Sequence, residues 1–366
     1  MKLSTIILAA FTTLTVAVPL AEPQDTTAEL SATASIGGLC IIPKVRREWR
    51  TLSKTQKKSF IDAVLCLAKK PKEKGSSIGG ARTRWDEFQG IHNEQTPFIH
   101  FTGIFVPWHR YFLSVVEDAL VKECGYKGGL PYWDWLIDAE SGVPFEQWPI
   151  FDPVLGFGGN GPYIPDSEVH PDDNPIPFPI PGRTGGGCVS DGPFTFPGFK
   201  LSINGTDPHI QREEHCLRRD FSPSLALYDL KRTVWDETIA APDFHSMWRS
   251  LEGEPRVMGP RPNIHHGGHN GVGGELGQMG HTYNSPADPI FYLHHANLDR
   301  AFTQWQLKKL PQRWFDVHGN IQAYDFAGAN GNITLAYPLN MGSVAKTRKV
   351  IEVMNTWGGP LCYTYA

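Results

Sequence analysis

Apolar residues recur at helical spacing in five windows of the chain. In the first, Ser53 followed by Gln56 makes a capping box, in which each satisfies a free backbone donor of the first turn. Behind it Phe60, Ile61, Val64, Leu65 and Ala68 keep the helical period, and Pro71 closes the segment. The spacing of Phe112, Val115, Val116 and Leu120 predicts a second helix over 108–122. Ser222-Pro223 is a cap followed by proline at the first helical position, and opens a third helix carrying Leu227, Leu230 and Val234. A fourth is expected over 246–251 and a fifth over 289–307. The segment 151–199 has no helical period and too much proline for a central strand, so it is expected to be an irregular loop. A loop of that length is uncommon unless it serves a function, which allows it to border a site. Residues 350–365 read as extended.

The N-terminus breaks this pattern. Lys2 precedes an apolar run over 6–14, and Thr15-Val16-Ala17 offers a small-residue cleavage site, with Ala21 as the alternative. The run is far short of the ~20 residues a spanning helix needs, and no later stretch supplies one. Residues 1–17 are therefore expected to be a secretory signal and 22–38 a flexible leader, with one domain over 39–366 and no membrane span. Cysteine usage agrees. Cys40, Cys66, Cys124, Cys188, Cys216 and Cys362 make an even set, which in a secreted chain favours disulfides. The sequence does not choose the pairing, though a Cys188–Cys216 staple would suit the long loop. Asn204-Gly-Thr206 and Asn332-Ile-Thr334 are N-glycosylation sequons.

Composition is that of an ordinary globular protein, at 40% hydrophobic and 20% charged residues, so disordered and fibrous classes fall away. The formal net charge of −4 argues against a nucleic-acid or membrane-surface binder, which would need a basic face.

Histidine carries the candidate chemistry. His92, His100 and His109 fall in one window; His265, His266, His269, His294 and His295 make a second group. His265 and His269 are four apart and share a helix face, as do His295 and Asp299. A single histidine is usually a hydrogen-bonded core or surface residue. Eight in two tight groups beside aromatic sequence are harder to explain that way. Imidazole ligands suit zinc, copper, iron or nickel, and a lone three-histidine site would fit zinc. Two three-histidine sites fit a pair of coppers better.

The windows H-NEQTPFI-H-FTGIFVPW-H-RYFLSVVED and H-HGG-H-NGVGG followed by SPADPIFYLHHANLDRAFTQWQ resemble the two copper-binding motifs of the tyrosinase, catechol oxidase and hemocyanin superfamily. Pro131-Tyr-Trp-Asp-Trp135, Arg46-Arg-Glu-Trp49 and the terminal Tyr363-Thr-Tyr365 fit the same pattern, so the resemblance spans about residues 40–366. It implies a mainly α fold: a four-helix core holding a dicopper site, with long loops and a few short strands around it. One copper would be held by His92, His100 and His109, the other by His265, His269 and His295. His294 would line the pocket or pack behind it. Phe105 and Phe291 would hold ligand rings. Asp299 would orient a ligand or pair with Arg300, and Glu117, expected to be buried, would pair with Arg300 or Arg110. A Cys40–Cys362 bridge and an Arg46 contact to the terminal tyrosines would tie the chain ends, and no C-terminal lid domain is expected.

The implied activity is oxidation of o-diphenols, with o-aminophenols and some monophenols as further substrates, to o-quinones by O₂. Phenol and O₂ are then the partners. Family members that hydroxylate monophenols often orient a water between a Glu and an Asn that follows the first ligand of the second motif. Glu252 is the candidate Glu here, with Glu254 second. The residue after His265 is His266, and Asn270 instead follows His269. This departure favours diphenol oxidation over full monophenol hydroxylation, which is the alternative. Phe98 stands where some members carry a thioether-forming Cys, so no such link is expected. Thr282 stands at the position of a bulky gate, which implies an open pocket. A hemocyanin-like O₂ carrier and a zinc hydrolase are the competing classes. The first would need a shielding domain, and the second leaves one histidine triad unexplained.

Overall fold

The computed structural model describes residues 40–169, 179–205, 213–253 and 261–366. The fold is mainly helical. In chain order the helices are α1 (Lys54–Leu67), α2 (Arg84–Ile99), α3 (Phe105–Cys124), α4 (Trp135–Ala139), α5 (Pro223–Asp229), α6 (Arg232–Ala240), α7 (Phe244–Glu252), α8 (Ile264–Gly273) and α9 (Ile290–Leu307). Among the described residues four short strands accompany them: β1 (Lys44–Arg46), β2 (Pro338–Leu339), β3 (Arg348–Lys349) and β4 (Tyr363–Tyr365). Strands β2 and β3 pair antiparallel. Strand β1 pairs with β4 in parallel, with Arg46 opposite Tyr365, so the two ends of the domain meet.

The capping box forms as expected, with the Ser53 hydroxyl accepting the Gln56 N–H at 3.2 Å. Helix α3 begins at Phe105 because Pro107 falls inside its first turn, where the missing N–H costs nothing. The expected third helix is instead two. Leu230 leaves helical geometry and Lys231 is extended between α5 and α6. There Asp229 turns inward and its carboxylate accepts the backbone N–H of Asn263, the cap of α8. The terminal segment is extended only at Tyr363–Tyr365; Val350–Val353 forms a 3-10 turn. The long loop is irregular in its described parts and is stapled by Cys188–Cys216; Cys66–Cys124 joins α1 to the end of α3, and Cys40–Cys362 ties the ends. No helix among the described residues is long and apolar enough to cross a membrane.

Helix α2 had no periodic signature because every residue from Arg84 to Asn93 is buried. A helix covered on all sides alternates nothing that hydropathy could reveal. Helices α3 and α9 pack together at the centre, with α2 against α3 and α8 against α9.

Candidate metal centre

Six histidines converge where α2, α3, α8 and α9 meet. His92 lies on α2 and His100 caps its end; His109 lies on α3, His265 and His269 on α8, and His295 on α9. The ligand nitrogens of His92, His100 and His109 lie within 4.8 Å of one another, and so do those of His265, His269 and His295. All six rings are at least nine-tenths buried.

Backbone carbonyls fix the rings. Nδ1 of His92 donates to the Tyr283 carbonyl at 3.1 Å, Nδ1 of His100 to Thr96 at 3.1 Å, Nδ1 of His109 to Phe105 at 2.8 Å and Nδ1 of His269 to Met279 at 2.8 Å. A carbonyl only accepts, so Nδ1 carries the proton in each and Nε2 presents a bare lone pair. Those lone pairs have little protein to meet. Nε2 of His92, Nε2 of His109 and both ring nitrogens of His265 are buried without a hydrogen-bond partner. The Nε2 atoms of His269 and His295 face each other at 2.9 Å. Orphaned, converging acceptors are costly in a dry interior, and a cation is the natural partner.

Electrostatics agree. Burial holds every one of the six imidazoles below the usual histidine value, and neighbouring rings press most of them further; His100 falls to about 4. Neutral imidazole is the form that binds metal. Phe291 stacks on His295 with ring centroids 4.2 Å apart, and Phe105 lies between His109 at 4.7 Å and His265 at 4.8 Å.

The neighbouring candidates divide. His294 is fully buried; its Nε2 donates to the His265 carbonyl at 3.0 Å, and its ring fills the space a Cβ on Gly268 would take. His266 is half-buried beside His265, Asn270 is buried beside His269, and Thr282 is exposed, one residue before the Tyr283 carbonyl that holds His92. Glu252 is fully buried. Its Oε1 accepts the Phe101 N–H and its Oε2 the Trp248 indole N–H, both at 2.6 Å. Those donors favour the carboxylate, yet loss of water outweighs them and pushes its pKa up to about 8. Glu254 lies outside the described residues. Phe98 is exposed and all six cysteines are in disulfides, so no thioether forms.

Two partner assignments change. Glu117 pairs with Arg46 at 3.0 Å and Lys44 at 3.3 Å, not with Arg300 or Arg110, because parallel pairing of the chain ends brings Arg46 over α3. Asp299 accepts from Arg110, Arg46, Tyr363 and Tyr365, while Arg300 turns to Asp134 at 3.1 Å. The anchoring carbonyls of Thr96, Tyr283 and Met279 carry no sequence signal. Trp248 does: it precedes Glu252 by four positions on one helix, so the two share a face.

Two buried all-imidazole triads facing each other define a dinuclear metal protein. A family model for the common central domain of tyrosinase matches residues 82–308. Tyrosinase P of Aspergillus terreus is 32% identical over 348 residues, covering 89% of this chain and 93% of that protein. An N-acetyl-6-hydroxytryptophan oxidase of Emericella nidulans is 30% identical over 341 residues, covering 88% and 92%. The fold matches a polyphenol oxidase of Thermothelomyces thermophila with a TM-score of 0.77 and 30% identity, over 93% of both chains. The chain belongs to the tyrosinase family. It is a copper-dependent oxidase of the polyphenol oxidase type, and its triads fit two copper ions.

Proposed function

We propose that this enzyme is a secreted diphenol oxidase: two o-diphenols give four electrons and four protons to one O₂, yielding two o-quinones and two waters. The observation that carries this reading is the state of Glu252. Both carboxylate oxygens are engaged, by Trp248 and by the Phe101 N–H, and His266 rather than Asn follows His265. The pairing that would orient a water to deprotonate a monophenol is therefore weak. An o-diphenol needs no hydroxylation and makes no such demand.

The copper pair supplies the redox chemistry. His92, His100 and His109 would hold one ion and His265, His269 and His295 the other. The chain keeps these rings neutral by burial, fixes their tautomers through the carbonyls, and excludes water with Phe105 and Phe291. Glu252 holds the backbone just after His100, His266 and Asn270 flank the second triad, and the small exposed Thr282 leaves room for substrate. Three disulfides support an extracellular setting. Asn332 is exposed and would accept a glycan more readily than the half-buried Asn204.

Turnover of catechol and of tyramine by copper-loaded protein tests the reading. Catechol oxidation without tyramine turnover is the expected result. Tyramine oxidation after a lag would make the enzyme a monophenol hydroxylase, and O₂ binding with no turnover of either would make it a carrier.

A further inference from the structure

Among the described residues three other than glycine have a left-handed backbone: Phe101 at φ 54°, Tyr324 at φ 66° and Cys362. Two of these three are in contact. The rings of Phe101 and Tyr324 stack with centroids 5.0 Å apart and planes 26° apart. Bulky side chains seldom adopt this conformation, and surrounding structure must hold them in it. Here it does so from both sides. The Phe101 N–H is bound by Glu252, its carbonyl accepts the Asn320 amide at 2.7 Å, and the Asn320 carbonyl accepts the Gly103 N–H at 3.0 Å.

Burial does not account for the strain. Tyr324 is 60% exposed, so its ring gains little from packing beyond the face it lays on Phe101. Its position is informative. Phe101 directly follows His100, and its N–H is held by the buried Glu252, so the ring that Tyr324 covers belongs to the residue next to a ligand of the first histidine triad. An exposed aromatic face is thus held rigidly beside the metal centre.

We propose that Phe101 and Tyr324 form an aromatic shelf that stacks on the second ring of an o-diphenol, selecting substrates with an extended aromatic system over single-ring catechols. This deepens, and rests on, the diphenol oxidase reading. Flat aromatic partners gain from offset stacking on such a face, and the ring is pre-organised before substrate arrives.

The test compares catechol with 1,2-dihydroxynaphthalene, which adds one fused ring that stays aromatic in the o-quinone, in wild type, Tyr324→Ala and Tyr324→Phe. In Tyr324→Ala the ratio of KM for the naphthalenediol to KM for catechol should rise about three- to tenfold, the range aromatic pairing supports, with the kcat ratio steady. Tyr324→Phe, which keeps the ring, should hold the wild-type ratio. An unchanged ratio in Tyr324→Ala, or the same rise for both substrates, would overturn the shelf. If wild type turns over neither diphenol, the oxidase reading is what has failed. The shelf is then read from equilibrium binding of the two diphenols without O₂, followed by tryptophan fluorescence, where the same shift in the ratio is expected and its absence refutes the shelf.

Discussion

The carboxylate of Glu252 accepts the backbone N–H of Phe101 at 2.6 Å, which couples a buried acid to the residue after His100. Its pKa is raised from 4.5 to about 8 by burial. The folded chain therefore keeps a proton that the unfolded chain releases in this window. The stability this group contributes is complete below about pH 4.5 and is lost as pH rises through about 8. Glu252→Gln should flatten stability between about pH 4.5 and 8. At acid pH it should cost about 1–3 kcal/mol, since the amide nitrogen meets a donor where an oxygen stood. Denaturant midpoints across pH check this; curves parallel to wild type would contradict it.

The six ligand histidines titrate the other way. Their folded values are depressed, so the stability they contribute is present above about pH 6.5 and lost as pH falls through the folded values, about 4 for His100. Copper-free protein should weaken steadily through that window. A chelator should abolish turnover and lower Tm, because copper binds only the folded triads, and added copper should restore both. His109→Ala or His269→Ala should drop bound copper from two toward one per chain, measured by atomic absorption.

Asp299 is surrounded by Arg110, Arg46, Tyr363 and Tyr365, and its own carboxyl is held below the usual range despite burial, chiefly by Arg110 and Arg46. Asp299→Asn leaves buried guanidinium groups short of their counter-charge, a change worth about 3–5 kcal/mol. Chemical denaturation should show that loss, and the wild-type contribution should disappear as pH falls below about 3.8 through the still lower folded value.

Gly268 sits in α8 between His265 and His269, and a Cβ there would lie 2.2 Å from Cε1 of His294. Gly268→Ala must move His294 or the helix that carries two ligands. Overpacking of this kind costs about 1–3 kcal/mol. Copper content and turnover should both fall. Ala substituted at the exposed Gly198, where the nearest atom to a Cβ lies 3.4 Å away, should leave copper binding intact.

Replacing Cys188 and Cys216 with Ser opens a loop closed over a separation of 28 residues. Loop-closure entropy sets the expected loss at about 3–4 kcal/mol, seen as a lower Tm.

The sequence alone determined the elements whose faces differ. The amphipathic windows placed α1, α3, α7 and α9, and the paired motifs pointed to the six histidines, because ligand chemistry demands particular side chains at particular spacings. It missed α2, whose wholly buried surface has no period, and it joined α5 to α6, because the bend at Leu230 answers to Asn263, a residue far along the chain. Partners were the other blind spot. Glu117 needed a cation, but only the parallel pairing of β1 with β4 decided on Arg46. The carbonyls that aim the histidines are chemically identical to every other carbonyl, so nothing in the residue type distinguishes them. Likewise Phe101 and Tyr324 are ordinary aromatics 223 positions apart. Their shared left-handed backbone and stacked rings exist only once the chain has closed around the metal centre, because contact between distant residues is a property of packing and not of local order.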